Sequence, residues 1–274
     1  KKIDLNEKDF SFLTGEFFSK VDVTNLNFES NNKFSFSLNK KFNLDDLRVS
    51  SLLRISNLTV VNLPEMRNFF PENKRQVEFS DQTVNLDYSK DTLIIEGKGK
   101  ISLQKIKDNI SFYIKKKGDV YDFNSTITII NNPFNLELLN YKNSQTKKTI
   151  SFKGTHSNNK TIFKSLALEE NDNEIKIKNL IIKDKLKIDG FDNIILNYLD
   201  NDNKRNEVTL KRSNKVYLIK GKSFNANQLI QNLIDNTENK NFINKNIKLD
   251  LAIEEIFFDN ENAINDLKGE LYFR

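Results

Sequence analysis

The sequence predicts a mostly β protein: antiparallel strands repeating along the chain, as in a meander, barrel or sandwich, with one long apolar sheet face and one or two short amphipathic helices. Three observations predict it. Apolar residues recur with a period of two along much of the chain, and clusters of Asn, Asp, Lys and Gly separate the alternating runs. The third is a small apolar supply: the 37% hydrophobic share plus 8 Gly in 274 residues stays below the roughly 45 to 50% typical of soluble globular domains. A thick two-sided core would be hard to fill, yet 22 Phe with many Ile and Leu exceed what a disordered polymer carries.

The alternation first shows in Phe34, Phe36 and Leu38. The segment Asn62 to Pro71 then reads as a short helix: an Asn cap, Glu65 three residues later, an early Pro64 that a first turn tolerates, and Pro71 as terminator. From about residue 84 the period of two dominates. Leu93, Ile95, Gly97, Gly99, Ile101 and Leu103 share one phase, with Thr92, Glu96, Lys98, Lys100 and Ser102 in the other. Ile110, Phe112 and Ile114 continue it, and after a Gly118-Asp119 turn so do Tyr121, Phe123, Ile127 and Ile129, which reads as a hairpin. Phe134, Leu136 and Leu138 follow the Asn131-Asn132-Pro133 turn as a further alternating run. Later pairs are Ile175 with Ile177, Leu186 with Ile188, Val208 with Leu210, and Val216 with Leu218, before Leu249, Leu251 and Ile253. Strands thus recur at roughly 8 to 15 residues, and without long crossover helices a parallel α/β sheet is not expected.

A second helix is predicted near 225–236. Leu229/Ile230 and Leu233/Ile234 repeat four residues apart and make one apolar stripe. Asn225 fits as the N-cap, with Phe224 and Leu229 as a hydrophobic staple. The whole reads as one continuous fragment, 1–274, of a larger β protein, with helix insertions near 62–70 and 225–236 and a candidate sub-boundary near 45.

The residues bound the chemistry. The absence of cysteine excludes disulfides, thiolate metal sites and cysteine nucleophiles. His156 is the one histidine; it lies between Thr155 and Ser157 in a polar stretch and reads as an exposed loop residue, so no Ser-His-Asp triad or histidine metal cluster can be assembled. Carboxylates fall on the polar phase of strands or in turns, and none stands out as an acid/base pair. Gly97-Lys98-Gly99 lacks a third Gly at Ser102 and continues as a strand, so these glycines read as positions where the sheet bends or another backbone comes close. No catalytic, metal or cofactor site is predicted, and the chain is not expected to be an enzyme. The formal charge of +5, from 43 basic and 38 acidic residues, is interspersed, with Lys115-Lys116-Lys117 read as a hairpin tip, so a nucleic-acid partner is not expected. No run of about 18 apolar residues is present. The start at Lys1 reads as a fragment or processed form with room for a membrane anchor upstream.

Gly221-Lys222-Ser223-Phe224-Asn225, followed by Leu229-Ile230 and Leu233, resembles a pattern of the AsmA-like family of bacterial envelope proteins, in particular its YhdP-type branch. There a strand and a Gly lead through an aromatic or aliphatic residue and an acidic one into a short helix with paired leucines. Asn225 stands where Asp is commoner. Leu63 to Pro71 is similar to a short family helix ending in an aromatic-Pro pair, with Phe70 where Trp or Tyr is frequent. The likeness runs from about residue 45 onward, in the order of strands that follow. It implies an elongated, curved antiparallel β-sheet groove of repeating strands, of which residues 1–274 are one fragment, anchored in the inner membrane, crossing the periplasm, and moving phospholipid toward the outer membrane, with no catalytic residues.

Many strands with one apolar face and few elements to cover it point the same way. Moving a 16-carbon acyl chain into water costs on the order of 12 kcal/mol at about 0.8 per methylene, so transit needs a continuous apolar track. Ile95, Ile101, Phe112, Ile114, Phe123, Ile127 and Leu136 are the expected groove lining, with phospholipid acyl chains as the partner. Two other readings share the alternation: a self-packed β-sandwich serving as an interaction module, and a ligand-free structural solenoid.

Overall fold

In the computed structural model, the described residues are 22–130, 132–141, 146–183, 187–213, 216–228, 230–231, 247–259 and 261–273. The protein is mostly β, with 73% of the described residues in strands, so its packing must come from sheet faces. The strands fall into two compact units, Lys1–Gly118 with Asn131–Pro133, and Asp119–Ile130 with Phe134–Arg274.

The first unit contains β1 (Asp22–Leu38), β2 (Leu44–Val61), β3 (Val77–Ser89), β4 (Thr92–Ser102) and β5 (Asp108–Lys117). Each pairs antiparallel with the next in an open, unclosed sheet. Lys90 (φ 48°) and Asp91 (φ 59°) make the two-residue link between β3 and β4. Two successive left-handed residues give the turn whose twist matches paired strands. Asp81 (φ 53°) sits at the register shift between Ser80 and Thr83. A bulge of this kind changes which side chains face inward and bends the strand, so Gln82, Val84 and Leu86 share the face that Phe79 and Val77 take up beyond it.

The second unit contains β6 (Val120–Ile129), β7 (Lys148–Ser157), β8 (Lys160–Glu170), β9 (Asn173–Lys183), β10 (Lys187–Gly190), β11 (Asn193–Leu199), β12 (Arg205–Ser213), β13 (Val216–Asn225), β14 (Ile247–Phe257) and β15 (Ala263–Phe273). The order is sequential, except that β10 folds onto β9 and β11 continues the sheet from β9. Asn158 and Asn159 (φ 47° and 57°) repeat the left-handed pair at the β7–β8 turn. All pairings but one are antiparallel; β13 and β14 run parallel. A parallel pair requires a crossover of about a dozen residues or more, and the stretch between Asn225 and Ile247 supplies it. Among the described residues of this unit β13–β14 is the one parallel pair in a sheet otherwise antiparallel, as expected.

Four expected readings are changed. Between Asn62 and Pro71 there is a turn and no helix: Phe69 and Phe70 both donate to the Met66 carbonyl, at 2.9 and 2.8 Å. Asn62 has φ 58°, not the extended backbone of an N-cap, and the Glu65 carboxylate binds Arg67 instead of closing a capping box. Pro71 also disfavours helical backbone at Phe70. The Phe134–Leu138 run is not a strand; it leads into a single 3-10 turn, Glu137–Leu139. His156 lies in β7, half-buried, not in an exposed loop. Likewise Lys115 to Lys117 belong to β5 and the turn falls at Gly118 (φ 56°) and Asp119.

The helix after Asn225 does begin where expected. Asn225 accepts the Asn227 N–H through Oδ1 at 3.2 Å, and Ile230 N–H donates to the Ala226 carbonyl. Residues 227, 228, 230 and 231 are helical; Leu229, Leu233 and Ile234, and with them the staple and stripe, lie outside the described residues, as does Leu186.

Candidate functional site

In a sheet, residues directly opposite each other on neighbouring strands point to the same face. Tracing register across the second unit gives two apolar ladders. One runs Phe152, Leu166, Ile177, Ile194, Leu210, Ile219, Leu251, one residue from each of β7, β8, β9, β11, β12, β13 and β14. All seven are half-buried. The other runs Ile127, Ile150, Leu168, Ile175, Leu196, Val208, Gly221, Ile253, Leu267 from β6 to β15. Only Gly221 breaks its run of large apolar side chains, where a Cβ would run into the Glu207 carbonyl.

The second ladder is the more buried because the strand ends beside it are closed by a polar belt. Lys148 and Glu170, each with 1% of its side chain exposed, form an ion pair at 3.0 Å. The Tyr141 hydroxyl and the Thr146 hydroxyl both donate to Glu170, which supplies the acceptors a buried carboxylate requires. Burial, then the Glu170 carboxylate, pushes the Tyr141 hydroxyl far above its ordinary pKa, so it stays a donor. Tyr198, raised by burial and then by Asp200, donates to the Leu139 carbonyl at 2.8 Å. Asp200 is fully buried, accepts from Asn206 and Asn225, and bridges by backbone to Tyr141. These bonds fasten residues 134–141 across one margin of the apolar face. At its β13–β14 end the face is covered by Ala226 and Ile230, packed with Ile253, Ile256, Ile219 and Phe224.

The expected groove residues divide between the units. Ile95 and Ile114 are paired on one face of β4 and β5, Phe112 lies opposite Gly97 on that face, and Ile101 lies opposite Asp108. A Cβ on Gly97 would run into the Phe112 ring, so the glycine makes room for it. Phe123 and Ile127 share a face of β6 in the second unit. Ile127 belongs to the second ladder, and Phe123 packs on Phe163 and Phe152, ring centroids 5.5 and 6.3 Å away. Leu136 is on no strand; it is half-buried in the segment before the 3-10 turn.

Sequence reasoning missed most of the ladder as site residues, although Ile175, Ile177, Val208, Leu210, Leu251 and Ile253 carried the signal as alternating pairs. It chose Val216 and Leu218 on β13, whereas Tyr217 and Ile219 hold the apolar face. The polar belt had no sequence signal, because Lys148, Glu170 and Asp200 look like ordinary surface residues.

The other face of the second unit is charged. An open cavity of about 990 Å³ lies on it over β11 to β15, lined among others by Lys211, Lys220, Lys222, Lys268, Glu207, Glu254 and Asp266. Lys222 and Glu207 pair at 2.8 Å. Among the described residues, no group of three His, Cys, Asp or Glu side chains could hold a metal ion, and no helix is long and apolar enough to cross a membrane. Comparison with protein-family models, curated proteins and solved structures gives no match.

Proposed function

We propose that this chain binds phospholipid acyl chains along the apolar face of its sheet and carries them, as part of an envelope-spanning protein, between the inner and outer membranes of a bacterium. One observation carries the reading: the seven-strand ladder from Phe152 to Leu251, whose members are all half-buried. A sealed core would bury such residues. A half-covered row that crosses seven strands at a spacing of about 4.8 Å spans roughly 29 Å, longer than a 16-carbon chain. Each methylene placed on such a row gains about 0.8 kcal/mol over water. The proposed setting is the periplasm, with an inner-membrane anchor in a segment outside this chain, and no catalysis is involved.

Native mass spectrometry with lipid extraction, on protein purified from membrane-containing cells, tests this. Co-purified phospholipid is expected, and it should be lost in Ile177→Asp/Ile194→Asp with the β circular-dichroism spectrum kept. A lipid-free parent protein would overturn the reading and leave the apolar face as the inner layer of a self-packed sandwich.

A further inference from the structure

β1 and β2 run past the rest of their sheet. The pairing of β2 with β3 ends at Arg48 and Ser89, while its pairing with β1 continues to Leu44 and Leu38. Residues 44–47 are therefore held only by β1, an overhang of about 14 Å at roughly 3.4 Å per residue. Two-stranded ribbons of this kind are marginal in water. The unit's most exposed apolar side chains lie on this overhang and at its base: Phe34 71%, Phe36 52%, Leu38 51%, Phe42 84% and Leu44 57%.

The tip is built, not frayed. Asn39 Oδ1 accepts the N–H groups of Lys41 and Asn43 at 2.9 and 3.1 Å, and Phe42 N–H donates to the Asn39 carbonyl. Phe42 has φ 60°, a conformation bulky residues rarely adopt, and it is held there with its ring in solvent. Phe34, Phe36 and Leu38 alternate onto one face of β1, and Leu38 lies opposite Leu44. Lys33, Lys40, Lys41 and Arg48 flank these residues against two carboxylates, Asp45 and Asp46, and Asp46 is paired with Arg48 at 2.9 Å, so the bases are in excess.

We infer that this hairpin tip docks on a phospholipid bilayer with anionic headgroups, its Phe and Leu side chains entering the interface while Lys40 and Lys41 meet the headgroups. Exposed aromatic and aliphatic residues bordered by lysines are the combination such surfaces bind, and each lysine near an anionic surface strengthens the attachment. The choice of a bilayer shares its lipid chemistry with the proposed function, but it rests on different residues in the other unit.

The test is co-sedimentation of the full chain with phosphatidylcholine vesicles, with and without about one third phosphatidylglycerol. Binding is expected to the anionic vesicles, to fall on the order of thirtyfold in Lys40→Ser/Lys41→Ser, which is about 2 kcal/mol, and to fall at least about tenfold in Phe36→Ser/Phe42→Ser. The Ile177→Asp/Ile194→Asp protein should still sediment with vesicles, which separates this docking from lipid carriage along the ladder. Failure of the parent chain to bind anionic vesicles would overturn the inference. So would equal binding by the tip variants, or a concentration-dependent dimer of the parent that Phe36→Ser/Phe42→Ser dissociates.

Discussion

The two units solve the same problem with different completeness. Each has one apolar sheet face, and each closes one margin of it with a loop: residues 62–76 in the first, where Phe70 and Asn73 are buried and Asn73 donates to the Leu103 carbonyl, and residues 134–141 in the second. Their rows differ. In the first unit the row through Ile95 and Ile114 continues as Leu86, Ser51 and Asn32, so it is polar on its last two strands, and the apolar row beside it, Leu93, Tyr88, Val49 and Phe34, crosses four. In the second the ladder stays apolar across seven strands. The closures differ too, since the first unit relies on amides around Asp108 and the second on a buried ion pair. The contrast teaches that the longer apolar row, across seven strands, occurs in the unit with the charged belt.

The largest expected effect breaks that belt. Glu170→Leu leaves Lys148 buried without its carboxylate, a change worth about 3 to 5 kcal/mol. In the first unit, Asn132→Ala removes the 2.6 Å donor to the buried Asp108 carboxylate and should cost less, about 1.5 to 3 kcal/mol. Urea unfolding measures both. If the order were reversed, the belt would not be what closes the second unit.

A smaller effect sharpens the comparison between two glycines. A Cβ on Gly154 would meet the Ile162 carbonyl, part of the neighbouring backbone, whereas one on Gly97 would meet only the Phe112 ring. Overpacking costs about 1 to 3 kcal/mol. Gly154→Ala belongs near the top of that range, because backbone cannot step aside, and Gly97→Ala near the bottom, because a ring can rotate. Equal losses in unfolding midpoint would show that Phe112 is as fixed as a strand.

Much of the fold was legible because a period of two is unambiguous where it is long: Leu93 to Leu103 and Tyr121 to Ile129 read true. Length is what failed elsewhere. Phe134, Leu136 and Leu138 alternate over five residues, too few to distinguish a strand from a loop whose apolar side chains tuck under a sheet margin. Bulges were invisible as well. Asp81 and Asn179 (φ 53° and 52°) look like any Asx residue, yet phase changes beside them, so facing residues could be assigned within a strand but not across the sheet. The ladder is a property of register, and so is the belt; both needed pairing partners that sequence spacing does not supply. The parallel β13–β14 pair was hidden for the same reason.

The smallest effect concerns His156, and it follows from its being in a strand. The ring sits half-buried on β7 with Nδ1 2.8 Å from the Thr161 hydroxyl and its edge toward Tyr121, 6.2 Å between centroids. Burial lowers its pKa below the ordinary value of 6.5, so the fold prefers the neutral imidazole. A group depressed in this way contributes stability that is present above its unfolded pKa and is lost as pH falls through the folded one. The chain has one histidine, and the carboxylates lowered by their partners, Glu65, Asp189, Asp259 and Glu270, titrate at more acid pH. Between about pH 7 and 5 the histidine therefore contributes to the slope. His156→Gln should flatten the fall in unfolding midpoint across that window while leaving the neutral-pH value within about 0.5 kcal/mol, and an unchanged slope would return His156 to the exposed loop its neighbours in sequence suggested.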